Sequence, residues 1–358
     1  MSEVDLIRGE LGNVTVTISG DRTSVEGWTG LQIVRGIDQA ADAFSFSFPW
    51  EPTEENINRF IAHRTSLIEI NYKDQTIVTG IAEKYEPSYS AQGATMTVNG
   101  RSQSGTLLDL SAGPPFELDG DFNTIAATLS PIRVTSSPNL QDLTVQIEPG
   151  QSIYDVLSGI ASAHGLYAFP QENGTLIFRL ISDPGTTTEL REGMDPVISV
   201  NTSMDMTKRY YRYTALRTTD GDTFSAEAID AGVDENLRDG LIIEPKQDAD
   251  VQFSANFARS RGIMNSFTCA VTVAGWTVNG ELWRPGMVVR AVFPSAMLYD
   301  HVGAMSNRLM VRRATMQLDE TGGAITQLEL TFPEIFAGTA DRTSPARFPY
   351  PWSLEQRV

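Results

Sequence analysis

Three observations predict a mainly β fold with α+β inserts. Apolar and polar residues alternate at period two in many short runs, the mark of strands with one buried face. Gly, Pro and Asn-Gly signals separate those runs at short intervals. Helical spacing is confined to a few short segments, the clearest following Ser152. With 358 residues, 41% hydrophobic and 20% charged, the chain has the length and composition of two to four globular domains.

The first block is strand-rich. Val14, Val16 and Ile18 share one face of a strand over Asn13–Ile18. Phe44, Phe46, Phe48 and Trp50 repeat at spacing two, and Pro49 and Pro52 close that strand. Thr53–Ile61 predicts a short helix, with a Thr cap, early acids and an apolar stripe at Ile57, Phe60 and Ile61. Strands resume at Leu67–Tyr72 and Thr76–Ala82, and another around Met96 and Val98 is predicted to end at Asn99-Gly100. Residues 1–102 thus form one β-barrel or sandwich.

Residues 103–190 predict a smaller α+β module. Ala112-Gly113-Pro114-Pro115 is a loop, Thr124–Leu129 a short helix, and Leu143, Val145 and Ile147 alternate. Ser152 caps a helix whose face is Ile153, Val156, Leu157, Ile160 and Ala161, and His164-Gly165 stops it. Leu166–Phe169 and Leu176–Leu180 flank Asn173-Gly174 as a hairpin.

Residues 191–338 return to strands, after a connector at Asp183-Pro184-Gly185. Lys208–Arg217, with Tyr210, Tyr211 and Tyr213, predicts one strand. Residues 219–250 are polar and acidic, so an insertion out of the sheet is expected at about 219–262, with a helix over Asp250–Arg261. Alternation is clear again from Cys269 to Ala274; Asn279-Gly280 then marks a tight turn, followed by Leu282-Trp283-Arg284-Pro285-Gly286. A last hairpin pairs Met310–Leu318 with Ile325–Phe332. Residues 339–358 carry Pro345, Pro349 and Pro351 among Arg and aromatic residues; they cannot fold alone and are expected to reach onto a neighbouring subunit as an extended tail.

Composition and motifs argue against chemistry. No stretch of 18 apolar residues predicts a transmembrane helix, and the acidic N-terminus does not read as a secretory signal. The net charge of −18 lacks the basic surface that nucleic-acid binding exploits. Cys269, the single cysteine, reads as a small buried hydrophobe. His63, His164 and His301 lack metal-ligand spacing. No phosphate-binding glycine motif and no nucleophile elbow are present, so no catalytic, cofactor-binding or metal residue is assigned. Glu148-Pro149-Gly150-Gln151-Ser152 and its helix resemble the start of a peptidoglycan-binding LysM module but lack its second helix and Asn-rich ending. Trp276 and Trp283 read as barrel packing or a subunit contact in preference to sugar stacking. With Arg342, Phe348, Tyr350 and Trp352 of the tail, they are the candidate interface residues.

Several passages in order resemble the Mu-like baseplate hub family of contractile-tailed phages. They are Gly27-Trp28, Ile33–Asp38, the Phe44–Trp50 strand, Val98–Ser102 with Leu107–Ser111, Ser152–Phe169 with Asn173–Leu176, Trp276–Gly286, and Leu328–Pro333. Family members often carry Cys near Leu110; this chain does not. The resemblance spans roughly residues 20–336. It implies two tail-tube-like β-barrel domains plus smaller α+β modules, and a homotrimer whose ring of six barrels joins a six-fold tube to a three-fold spike. The partners it implies are the central spike, tail-tube or tube-initiator, baseplate wedge and tape-measure proteins, with DNA passing the channel without specific binding and no membrane. Such a protein is a virion component assembled in the host cytoplasm. Two other classes remain open: a tail-associated cell-wall-degrading enzyme or peptidoglycan-binding module, and a type VI secretion spike protein, which would need a long C-terminal β-helix.

Overall fold

The computed structural model describes residues 14–18, 23–24, 29–63, 67–73, 75–91, 93–181, 185–219, 222–230, 232–245, 250–296, 298, 308–319 and 323–333. In the first block the strands are β1 (Val14–Ile18), β2 (Thr23–Ser24), β3 (Gly30–Gly36), β4 (Ala43–Pro49), β5 (Leu67–Tyr72), β6 (Gln75–Ser90) and β7 (Gly93–Ser102), with helix α1 (Glu54–His63) between β4 and β5. The aromatic row of β4 does share one face: Phe44, Phe46 and Phe48 stack at 6.3 and 6.1 Å, and Trp50 meets Phe48 edge-on at 6.4 Å.

One sequence expectation fails here. The strand around Met96 does not end at Asn99-Gly100 but runs through it to Ser102. A Cβ at Gly100 would lie 2.3 Å from the Ile81 carbonyl oxygen and 2.4 Å from the Phe44 ring, so this glycine serves close approach inside a sheet, not a turn.

The middle module contains α2 (Thr106–Asp109), β8 (Glu117–Gly120), α3 (Phe122–Leu129), β9 (Val134–Ser137), β10 (Leu143–Gln146), α4 (Ile153–Ala163), β11 (Tyr167–Pro170) and β12 (Leu176–Arg179). The Ser152 hydroxyl accepts the Asp155 N–H at 3.0 Å, so it is the cap that the sequence predicts. Asn173-Gly174 turns the β11–β12 hairpin, with Gly174 at φ 82°. Leu107, Phe122, Val156, Leu157 and Phe178 fill a core of the module's own.

The last block holds β13 (Thr186–Arg191), β14 (Val197–Met204), β15 (Arg212–Thr219), β16 (Asp222–Ile229), β17 (Gly240–Ile243), α5 (Val251–Ser266), β18 (Phe267–Ala274), β19 (Thr277–Val278), β20 (Glu281–Leu282), β21 (Val288–Val292), β22 (Arg308–Asp319) and β23 (Gly323–Thr331). The Tyr-rich strand starts only at Arg212; Met206–Lys208 is a single 3₁₀ turn, and Arg209 turns inward. Polar residues 219–250 contribute β16 and β17 to a sheet separate from the one that holds the other strands of this block. β16, β15 and β17 form a three-stranded sheet whose one face packs Tyr213, Ala215 and Ala228 against Ala255 of α5. The other face is open to solvent, which is why alternation there is weak: Ile242 is 69% exposed.

Both strand-rich blocks belong to one 13-stranded sheet, ordered β14-β18-β23-β22-β3-β4-β7-β6-β5-β1-β2, with β21 and β13 branching from β22. β22 is the join. Its Arg308–Met310 pairs with β21 and its Arg313–Asp319 pairs with β3, the ladder slipping between Val311 and Arg313. One apolar core accordingly runs through both blocks, from Val16 and Ile70 to Val271 and Leu328.

Candidate assembly interface

The two tryptophans lie inside. Trp276 and Trp283 are each 0% exposed, so the packing reading is the one the structure supports; neither indole has surface left to offer a second subunit. Asn279 (φ 51°) and Gly280 (φ 84°) form the predicted tight turn between β19 and β20. The turn folds Trp283 back, and its N–H reaches the Trp276 carbonyl at 2.9 Å. Trp276 donates Nε1–H to the Gln317 carbonyl at 3.0 Å and packs on Tyr72 of β5 at 5.3 Å. It therefore binds the second block to the first. The other candidates, Arg342, Phe348, Tyr350 and Trp352, lie outside the described residues, as does His301.

A buried ionic cluster marks the junction of the three blocks. Arg35 follows Leu31 and Ile33 on the inward register of β3, so the alternation itself sends a guanidinium indoors. There it donates to Asp42 at 3.1 Å and to Glu172 of the β11–β12 turn at 2.8 Å; Arg284, beside Trp283, lies 3.5 Å from the same Glu172. Burial pushes the Asp42 carboxyl up to about 6, and Arg35 and Gln39 only partly offset it. Burial also works against the Arg35 cation, but Asp42 and Glu172 outweigh it and raise its pKa. Asp38, held at φ 61°, pairs with Arg261 of α5, so the insertion's helix is tied to β3's end.

The insertion has its own buried pair. Arg209 donates to both Asp230 oxygens, at 2.7 and 2.6 Å, with both side chains at most 2% exposed. Composition hides such pairs, because Arg and Asp usually mark surface; only Arg35 carried a signal, its place in an alternating strand.

What remains for partners is edges. Among the described residues β14 ends the sheet, with Met194 just before it and Ile198 within it at 60% and 58% exposure. The ladder of β6 to β5 reaches Ile81, while its ladder to β7 continues to Ser90, and Tyr89 on this overhang is 87% exposed. Glu83, Lys84, Glu86 and Pro87 on this overhang are the residues that discourage indiscriminate strand pairing.

The described residues assemble no catalytic constellation. No group of three or more His, Cys, Asp or Glu side chains is placed to hold a metal among them. His164 ends α4, its Nδ1 3.0 Å from the Ile160 carbonyl. Cys269 is fully buried, and burial pushes its thiol up to about 12, which makes it a poor nucleophile.

Residues 13–102 match the family model described as Mu phage baseplate assembly protein GpP-like, N-terminal. The match covers the first block. No curated protein matches this sequence. Beyond that domain the likeness is one of fold. The tail protein from Neisseria meningitidis MC58 aligns with TM-score 0.75 at 21% identity, over 91% of this chain and 98% of its own. The 43 kDa tail protein of prophage MuSo2 from Shewanella oneidensis gives 0.73 at 18%, over 90% and 98%. An E. coli type VI secretion component, described as structurally similar to T4 bacteriophage tail proteins, gives 0.55 at 10%, over 88% and 76%. The mainly β fold that the sequence predicts is thus the fold these tail proteins share.

Proposed function

We propose that the chain is a structural baseplate hub of a contractile phage tail. Three copies form a ring that joins the six-fold tail tube to the three-fold central spike and surrounds the channel for tape-measure protein and DNA. The observation that carries this reading is the double block: two strand-rich halves, the first matching the GpP-like N-terminal model, share one sheet that ends, among the described residues, at β14. Three copies of a two-block chain present six blocks, the number a six-fold tube requires. Edge strands need cover, and a closed ring covers them without leaving an end that grows. Tube or tube-initiator, spike, wedge and tape-measure proteins are its partners, and DNA passes without specific binding. In this role the chain belongs to the virion, is assembled in the host cytoplasm and performs no catalysis.

The test is the mass of the purified protein in solution, alone and with its spike. Light scattering should give three times the 39.2 kDa chain mass. Such a ring should bury at least ~2,000 Å² at each contact. A monomer at micromolar concentration with the spike present would overturn the reading.

A further inference from the structure

A shallow apolar groove lies where α4 ends against α5 and the end of β17. Its walls are Ala163, Ile243, Pro245, Phe253, Phe257 and Ala258, with Glu244 exposed beside Pro245, and it encloses about 120 Å³. That volume suits roughly one aromatic ring. Phe253 and Phe257 stack on each other at 5.9 Å, so two ring faces line one wall.

The geometry points to the C-terminal segment Arg347-Phe348-Pro349-Tyr350-Pro351-Trp352 of the same chain as the occupant. Three observations converge. The first is reach. Phe332 stacks on Phe267 at 4.6 Å, and Phe267 directly follows α5. Phe257 lies ten residues back along that helix, about 15 Å away at the helical rise. Arg347 comes fourteen residues after Pro333, enough chain to span about 46 Å. The second is chemistry. Proline alternating with aromatic residues favours an extended polyproline II course, and aromatic-lined grooves bind such segments because little conformational freedom is left to lose. The third is charge. Between residues 342 and 358 Arg342, Arg347 and Arg357 stand against Glu355 alone, in a chain of net charge −18, and Glu244 sits at the groove's rim. One aromatic ring of the segment enters the groove, and Arg347 lies toward Glu244. The inference does not depend on the hub reading, since it concerns a single chain, and it replaces the expectation that the tail reaches onto a neighbouring subunit.

Paired cysteines test it. Ala163→Cys is combined in turn with Phe348→Cys, Tyr350→Cys and Trp352→Cys in the full-length protein; native Cys269 is buried and stays out of the reaction. A disulfide needs Cα atoms within about 7 Å, so it reports contact. At least one pair should close within a single chain on the order of tenfold faster than the same tail cysteine paired with Tyr89→Cys. As a second measurement, Ala163→Arg, which fills the groove and suits a helix C-terminus, should raise the trypsin cleavage rate after Arg347 about tenfold over wild type, the order expected when local docking is lost. Equal cross-linking rates and unchanged cleavage would overturn the proposal. Disulfides forming only between chains would overturn docking on the tail's own chain.

Discussion

Truncating Trp276 to alanine separates a core role from a contact role. The indole is fully buried, packs on Tyr72 at 5.3 Å and donates to the Gln317 carbonyl at 3.0 Å. A buried indole removes on the order of 200 Å² from water, which at about 25 cal/mol per Å² is roughly 5 kcal/mol. Losing the hydrogen bond costs about 1 kcal/mol more, while partial collapse of the void recovers some. Trp276→Ala should therefore destabilise by about 3–5 kcal/mol, a large part of the roughly 5–15 kcal/mol that holds a domain together. Trp276→Phe keeps a ring and should lose about 1–2 kcal/mol. Urea denaturation at a concentration where the chain is monomeric, followed by near-UV circular dichroism, gives the midpoint and slope. A double-mutant cycle with Tyr72→Leu should return a coupling of about 0.5–1.5 kcal/mol, because the two rings meet across the junction of the blocks. An unchanged midpoint together with weakened self-association would refute the core assignment and make Trp276 a contact residue.

Three further outcomes are expected. Arg209→Met should cost about 3–5 kcal/mol by leaving Asp230 charged and unpaired indoors, while Arg209→Met with Asp230→Leu should recover most of it; equal melting temperatures for single and double variants would contradict this. Asp42 binds its proton more tightly folded, at about 6, than unfolded, at about 3.9. Its contribution is therefore fully present below about pH 4 and lost as pH rises through 6, a swing of roughly 3 kcal/mol in all, of which about 2 kcal/mol falls between pH 4.5 and 7; denaturation at those two pH values should show it in wild type and not in Asp42→Asn, and parallel pH profiles would rule it out. In an electron cryomicroscopy map of the assembled ring, the ionisable side chains facing the channel should be mostly Asp and Glu. A basic lumen would hold DNA by counterion release, and only charges within about 8 Å of the pore act on it; a lumen lined by Arg and Lys would reject the idea.

The features legible in the residues alone are local. Period-two runs place the strands, because a sheet with one buried face demands that alternation whatever it packs against. Asn279-Gly280 and Asn173-Gly174 mark their turns because positive φ is a property of the residue. Ser152 caps α4 because an orphan N–H three residues on needs an acceptor. Everything that depends on what comes opposite a residue is set by long-range packing. Gly100 reads as a turn until Phe44 lies over it, and residues 219–250 read only as a polar insertion until α5 covers one face of their sheet. Trp276 reads equally well as core or contact until Tyr72, some two hundred residues earlier, closes on it. The joining of two blocks through β22 and β3, and the enclosure of Arg35, Asp42 and Glu172 where three blocks meet, have no local signature. Such features are set by pairing across long sequence separations, and a pattern of short period carries no information about which distant strand supplies the partner.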